Sequence, residues 1–95
     1  MNSKDRNILR KEASRMNAIL HIGKDGLGEN SVKQADDALK KRELIKGKIL
    51  KNSLEDVREV SSYLAQRTRS EVVTVIGNTF VLYRRNPDVD RYGID

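Results

Sequence analysis

Two apolar runs, Val72-Val73-Thr74-Val75-Ile76 and Thr79-Phe80-Val81-Leu82-Tyr83, are separated by only Gly77-Asn78. Both are rich in β-branched and aromatic residues, and a two-residue Gly-Asn connection suits a primed turn, where positive φ is required. These residues must close as an antiparallel hairpin, so the chain contains a sheet. The remaining segments have to supply its other strands and its cover.

Glu43 to Leu50 alternates cleanly, with Ile45, Gly47 and Ile49 on one side and Lys46 and Lys48 on the other. Residues 18 to 22 form a short apolar run, hence a buried strand. Between the strands lie helical spacings. Val32, Ala35, Ala38 and Leu39 mark a helix from about 29 to 42, ending in Lys40-Lys41-Arg42, cations suited to the negative end of the helix dipole. Val57, Val60, Leu64 and Ala65 mark another from 55 to 68. An opening helix begins at Ser3 as N-cap and carries Ile8, Leu9, Ala13 and Met16 on one side. The order is α-β-α-β-α-β-β. A right-handed crossover makes the first two strands parallel, while the hairpin is antiparallel. The expected fold class is therefore α/β, a two-layer arrangement with a mixed four-stranded sheet.

Ninety-five residues allow one domain with a single modest core. The chain has no Cys and one His, which excludes a disulfide framework and leaves no credible zinc site. No apolar stretch approaches the roughly 20 residues of a membrane span, and the first residues do not resemble a signal peptide. A soluble, cytoplasmic protein without cofactors, membrane attachment or small-molecule substrate is expected. Nineteen Lys and Arg against fourteen Asp and Glu leave a net charge of +5, and the pI is about 9.7. Such a surplus favours a polyanionic partner, although a well-solvated surface accounts for it equally when charge is considered alone.

The stretch His21-Ile22-Gly23-Lys24-Asp25-Gly26-Leu27-Gly28-Glu29-Asn30 joins the first strand to the second helix. Gly23 and Gly28 have the outer spacing of a P-loop, but Glu29-Asn30 stand where Lys-Ser/Thr is needed. The glycines also imitate a dinucleotide fingerprint, yet the acidic ribose-binding residue is missing. What survives is Gly23-Lys24-Asp25-Gly26, a GxxG loop of the kind that clamps single-stranded RNA in KH modules. Two glycines also occur in ordinary tight turns. Placement at a strand-to-helix junction of a basic chain favours the binding reading.

From Lys4 through Arg84 the chain resembles the YhbY-like, or CRM, domain family. Lys4-Asp5-Arg6-Asn7-Ile8-Leu9-Arg10 with Ala13 fits the opening helix, and Ile19 to Leu27 fits the signature loop. Ala38-Leu39 with Arg42 to Lys46 and Lys48 fits the second helix and strand. Val75 to Thr79 with Val81-Leu82-Tyr83-Arg84 fits the hairpin. The resemblance implies a fold similar to the C-terminal domain of translation initiation factor three, with sheet order 1-2-4-3. It also implies RNA binding through the loop and adjoining basic surface. The tail 85–95, with the only proline, Pro87, alternating charges and little apolar material, is expected to be mobile unless a partner orders it, leaving a domain over residues 1–84. Bacterial stand-alone members are associated with precursor large ribosomal subunits, so the implied partner is large-subunit ribosomal RNA and the implied role is ribosome assembly by a monomer.

Three departures from the family pattern stand out. Gly28 occupies a position that usually holds Thr or Ser, so the second helix loses a side-chain cap. Gly47 replaces a branched apolar residue and is expected to leave a hole in the core. Arg69 replaces a helix-ending glycine.

The residues expected to meet RNA are Gly23, Lys24, Asp25, Gly26, Leu27 and Gly28 in the loop, with Lys24 foremost. Lys4, Arg10, Lys11, Arg15, Lys33, Arg84 and Arg85 are candidate backbone-tracking charges. His21 lacks a nucleophile patterned around it and is expected to be structural. Asp36-Asp37 and Glu55-Asp56 are adjacent carboxylates on different sides of a helix and do not form acid/base couples. Phe80 and Tyr83 are expected to pack in the sheet. No catalytic residue is expected. A protein-interaction adaptor, with its basic face toward acidic partners, is the alternative.

Overall fold

A computed structural model describes residues 1–94; Asp95, the last residue of the expected tail, lies outside the described residues. The elements are α1 (Ser3–Ala13), β1 (Leu20–Ile22), α2 (Glu29–Arg42), β2 (Leu44–Ile49), α3 (Val57–Thr68), β3 (Glu71–Ile76) and β4 (Thr79–Tyr83). They form one four-stranded sheet in the order β1-β2-β4-β3. The β1–β2 pair is parallel, and both pairs that involve β4 are antiparallel. Element order, mixed sheet and strand order agree with the sequence.

The layering differs. Helices α2 and α3 cover one face, where Leu39 and Leu64 pack with Leu20, Ile22, Ile45, Ile49, Phe80 and Leu82. Helix α1 covers part of the other, with Leu9 and Ala13 against Leu44, Val73, Val81 and Tyr83. The sheet therefore has helices on both faces, three layers instead of two. β4 explains why: Phe80, Val81, Leu82 and Tyr83 are all buried, and consecutive strand residues point to opposite faces. A central strand that is apolar on both sides needs cover on both sides.

The cap of α1 is Asn2 rather than Ser3; its side chain accepts a hydrogen bond from the Asp5 amide at 2.8 Å. Asp56 performs the same task for α3, accepting from the Glu59 amide. Arg69 ends α3 in the left-handed region, at φ 58°, the conformation that a glycine would adopt without strain.

Gly47 does not leave a hole. A Cβ at this position would run into the Phe80 ring, with Cε1 and Cε2 at 2.6 and 2.7 Å and Cζ closer still. Phe80 sits directly across from Gly47 in the β2–β4 ladder and is fully buried. The ring fills the space that a branched residue would otherwise take.

The tail, expected to be mobile, is packed. Glu43 caps α2 with a positive φ of 65° and is fully buried. Its carboxylate accepts from the Asn86 amide at 2.8 Å and the Arg91 amide at 2.6 Å. Beyond that anchor, Ile94 is buried in the α1-side core, and Tyr92 meets Tyr83 edge to face at 6.4 Å. A buried carboxylate is stable only with its hydrogen bonds satisfied, and here the tail backbone satisfies them.

Candidate functional site

The GxxG residues form a tight turn closed by the Gly26 amide donating to the Gly23 carbonyl at 3.0 Å. Lys24 and Asp25 sit at its tip, both exposed. Gly26 has φ 74°, which calls for glycine; a Cβ there would lie 3.1 Å from the carboxylate of exposed Glu55, which can move aside. Gly23 is less constrained: a Cβ would make ordinary contacts with Asn52 and Leu50 at 3.6 Å.

Gly28 is the N-cap of α2, in extended conformation and without any side-chain cap. The first amide of the helix with a backbone partner is that of Val32, which donates to the Gly28 carbonyl. The amides of Glu29, Asn30 and Ser31 are thus presented at the positive end of a 14-residue helix. They open into a cleft of about 430 Å³ lined by His21, Gly23, Asp25, Gly26, Gly28 and Gln34 among others. Backbone donors beside glycines can receive an anion closely, because the glycines themselves carry no side chain to hold it off.

Carboxylates also surround the cleft. Asp25 and Glu29 line it, while no Lys or Arg does. Glu29 is held by Arg67 of α3 at 3.0 Å; Arg67 also donates to the Tyr63 hydroxyl at 2.7 Å and lies 5.6 Å from that ring's centre. Glu29, through its hydrogen bond and its charge, raises the Arg67 pKa. Glu29 thus has a cation of its own.

The other sequence candidates divide between two faces. Lys33 is exposed on α2, on the loop side. Lys4, Arg10 and Lys11 are exposed on α1, and Arg15 in the segment after it, beyond the opposite face of the sheet. Arg84 is committed within the fold: it donates to the Asp36 carboxylate and to the Thr68 carbonyl, each at 2.7 Å, and to the Asp36 carbonyl at 3.1 Å. Its hydrogen bond and charge hold the Asp36 carboxyl below the usual carboxylate range. This half-buried clamp joins β4 to α2 and the end of α3, so Arg84 leaves the set of free cations; Arg85 is exposed. Among the adjacent carboxylates, Asp36 belongs to the clamp and Asp56 to the α3 cap.

His21 is exposed. Leu20 and Ile22 on either side of it are buried, so alternation in an edge strand turns the imidazole outward. Sequence reasoning left Lys46 and Lys48 out of the candidates, although their alternation in β2 already placed both on the face opposite Ile45 and Ile49. Among the described residues no cluster of His, Asp or Glu could hold a metal ion, and no helix is long and apolar enough to cross a membrane.

The sheet order, the glycine turn and the uncapped α2 amides define a small α/β domain with a glycine loop beside an open cleft. The chain belongs to the CRS1/YhbY (CRM) domain family, whose model matches residues 1–84. It is 39% identical over 88 residues to "Probable RNA-binding protein YqeI" of Bacillus subtilis, covering 93% of this chain and 92% of that one. A probable RNA-binding protein of Methanocaldococcus jannaschii is 34% identical over 94 residues, covering 97% of this chain and 69% of its own length. In fold, the chain is similar to the solution structure of a hypothetical protein from Staphylococcus aureus, with a TM-score of 0.76, 43% identity and 90% coverage of each chain.

Proposed function

We propose that this protein is a non-catalytic RNA-binding factor that grips the sugar-phosphate backbone at the GxxG turn and acts on ribosomal RNA in precursor large ribosomal subunits. The observation that carries the reading is the uncapped α2 N-terminus behind Gly28. Three backbone amides and a helix dipole face an open cleft, with Lys24 at the tip of the turn. Gly23 and Gly26 let a phosphate approach the main chain, and Lys24 supplies a point charge. The relatives' names support RNA as the partner class. The ribosomal role, a cytoplasmic location and a monomeric state extend from the family resemblance.

Binding of this kind is electrostatic. About four phosphate contacts give a slope near −3 in log affinity against log salt for a single strand. In a cell extract the protein should sediment with immature large-subunit particles at low salt and leave them at high salt or after nuclease digestion. Lys24→Glu should weaken binding to structured ribosomal RNA without changing the thermal midpoint. An adaptor gripping a protein partner through apolar contacts would survive both salt and nuclease. Finding the protein only in the ribosome-free fraction at low salt, with no affinity for ribosomal RNA, would refute the proposal.

A further inference from the structure

Helix α1 covers only part of its face of the sheet. It packs on Leu44, Val73, Val81 and Tyr83 and stops at Ala13. Beyond it, the strand register lines up one residue from each strand: His21 pairs with Lys48, Lys48 with Thr79, and Thr79 with Ile76. All four point to the α1 side, because Ile22, Ile49, Phe80 and Val75 next to them belong to the opposite core. His21, Lys48 and Ile76 are exposed and Thr79 is half-buried. Four strands at about 4.8 Å spacing make this row about 14 Å wide.

We propose that the RNA strand gripped at the GxxG turn continues across this open half of the sheet, with Lys48 and Lys46 contacting its phosphates. This inference rests on the RNA-binding reading and adds a path to it. His21 is the hinge of the path: it lines the loop cleft and also begins the row, two residues before Gly23. A strand leaving the α2 amides on that side meets His21 and then Lys48.

Charge supports the same course. The row contains no carboxylate. The ion pairs among the described residues are Met1–Glu71, Arg67–Glu29 and Arg84–Asp36, so neither Lys46 nor Lys48 is neutralised by a partner there. Lys46 and Lys48 lie two apart on one face of one strand, about 7 Å from each other. Adjacent like charges without a counter-charge are relieved by a polyanion. Lys46 is half-buried and donates to the Met16 carbonyl at 3.4 Å, at the rim of a cleft of about 300 Å³ shared with Arg10, Thr74, Ile76 and Thr79. The loop cleft, by contrast, offers backbone donors beside Asp25 and Glu29. The sheet face supplies the cations that cleft lacks. It holds no exposed aromatic ring, so it tracks backbone and does not stack bases as an aromatic sheet platform does.

The test is fluorescence anisotropy at low salt with labelled oligouridines of about four nucleotides, the reach of a GxxG clamp, and about twelve. The longer oligomer should bind the parent more tightly than the shorter. Lys48→Glu, at an exposed site, should weaken the longer one by about tenfold and flatten its salt slope, while changing the shorter by less than about twofold. Ile76→Lys, at a residue 69% exposed, should strengthen the longer oligomer and steepen its slope by about 0.7. Lys24→Glu should weaken both lengths. If Lys48→Glu and Ile76→Lys leave the longer oligomer at the parent's affinity while Lys24→Glu weakens it, the sheet path is wrong and the loop stands. If the parent binds neither oligomer nor structured ribosomal RNA, the RNA reading fails and the path falls with it.

Discussion

Replacing Gly47 with alanine should destabilise this protein, even though alanine is the better strand former. Removing a strand glycine gains roughly 0.5–1 kcal/mol of backbone entropy. The new methyl, however, meets Cε1 and Cε2 of Phe80 at 2.6 and 2.7 Å, and the ring has no free space to enter because Phe80 is fully buried between β2, α2 and α3. The ring must retreat by about an ångström, and overpacking of this kind costs about 1–3 kcal/mol, more for valine than for alanine. The net loss of about 1–2 kcal/mol corresponds to a drop of roughly 5–15 °C in melting temperature for a domain of this size. Thermal unfolding by circular dichroism reads it directly. Phe80→Leu supplies the control, since leucine lacks the ring atoms that collide. The double variant should lose less than the sum of the two singles, with a coupling of about 1 kcal/mol. A melting temperature for Gly47→Ala equal to or above the parent's, or strict additivity in the cycle, would show that the ring does not occupy the glycine's space.

Gly28→Ser should raise stability by a few tenths of a kcal/mol by capping α2 and lower RNA affinity at the same time, because the serine oxygen takes an amide that the phosphate needs; titration calorimetry and melting together check it. Glu43→Gln leaves one of the Asn86 and Arg91 amides without its acceptor, so a loss of about 1–3 kcal/mol and faster hydrogen exchange at those two amides are expected. Arg69→Gly should stabilise by about 1 kcal/mol by removing the left-handed strain of a side-chain residue. Asp36, with its carboxyl held below the ordinary range by Arg84, is more stable as the anion in the folded state. Its contribution is present above the unfolded value and disappears as pH falls through and below about 4. Both side chains are partly exposed, so the effect is under about 1 kcal/mol, and Asp36→Asn should remove that part of the acid dependence in urea titrations.

The parts of this fold that were legible in the sequence are those written in local period. α2 occupies residues 29–42 as its spacing required, and the strand order agrees with the resemblance because four separate blocks of residues carried it. What escaped depends on partners far along the chain. Gly47 looked like a gap because the ring that fills it belongs to another strand. The tail looked free because its anchor, Glu43, lies 43 and 48 positions away. Arg84 looked like a surface cation because Asp36 sits 48 positions back. One signal was available and unused: Phe80 to Tyr83 shows no alternation, and a strand apolar on both sides already demanded a third layer. The glycine turn is legible because its spacing is local; that Lys48 shares a row with His21 is shown only by the register.

β4 lies in the middle of the sheet, between β2 and β3, yet it is the last strand in the sequence. During synthesis, β1 and β2 can pair and α2 can cross over them, but β2 keeps an unpaired edge until Tyr83 has emerged. Domains fold as units once their chain is available, so this sheet waits for β4 and then closes around it. A chain stopped before β4 is left with the open edge of β2 and no centre to build on.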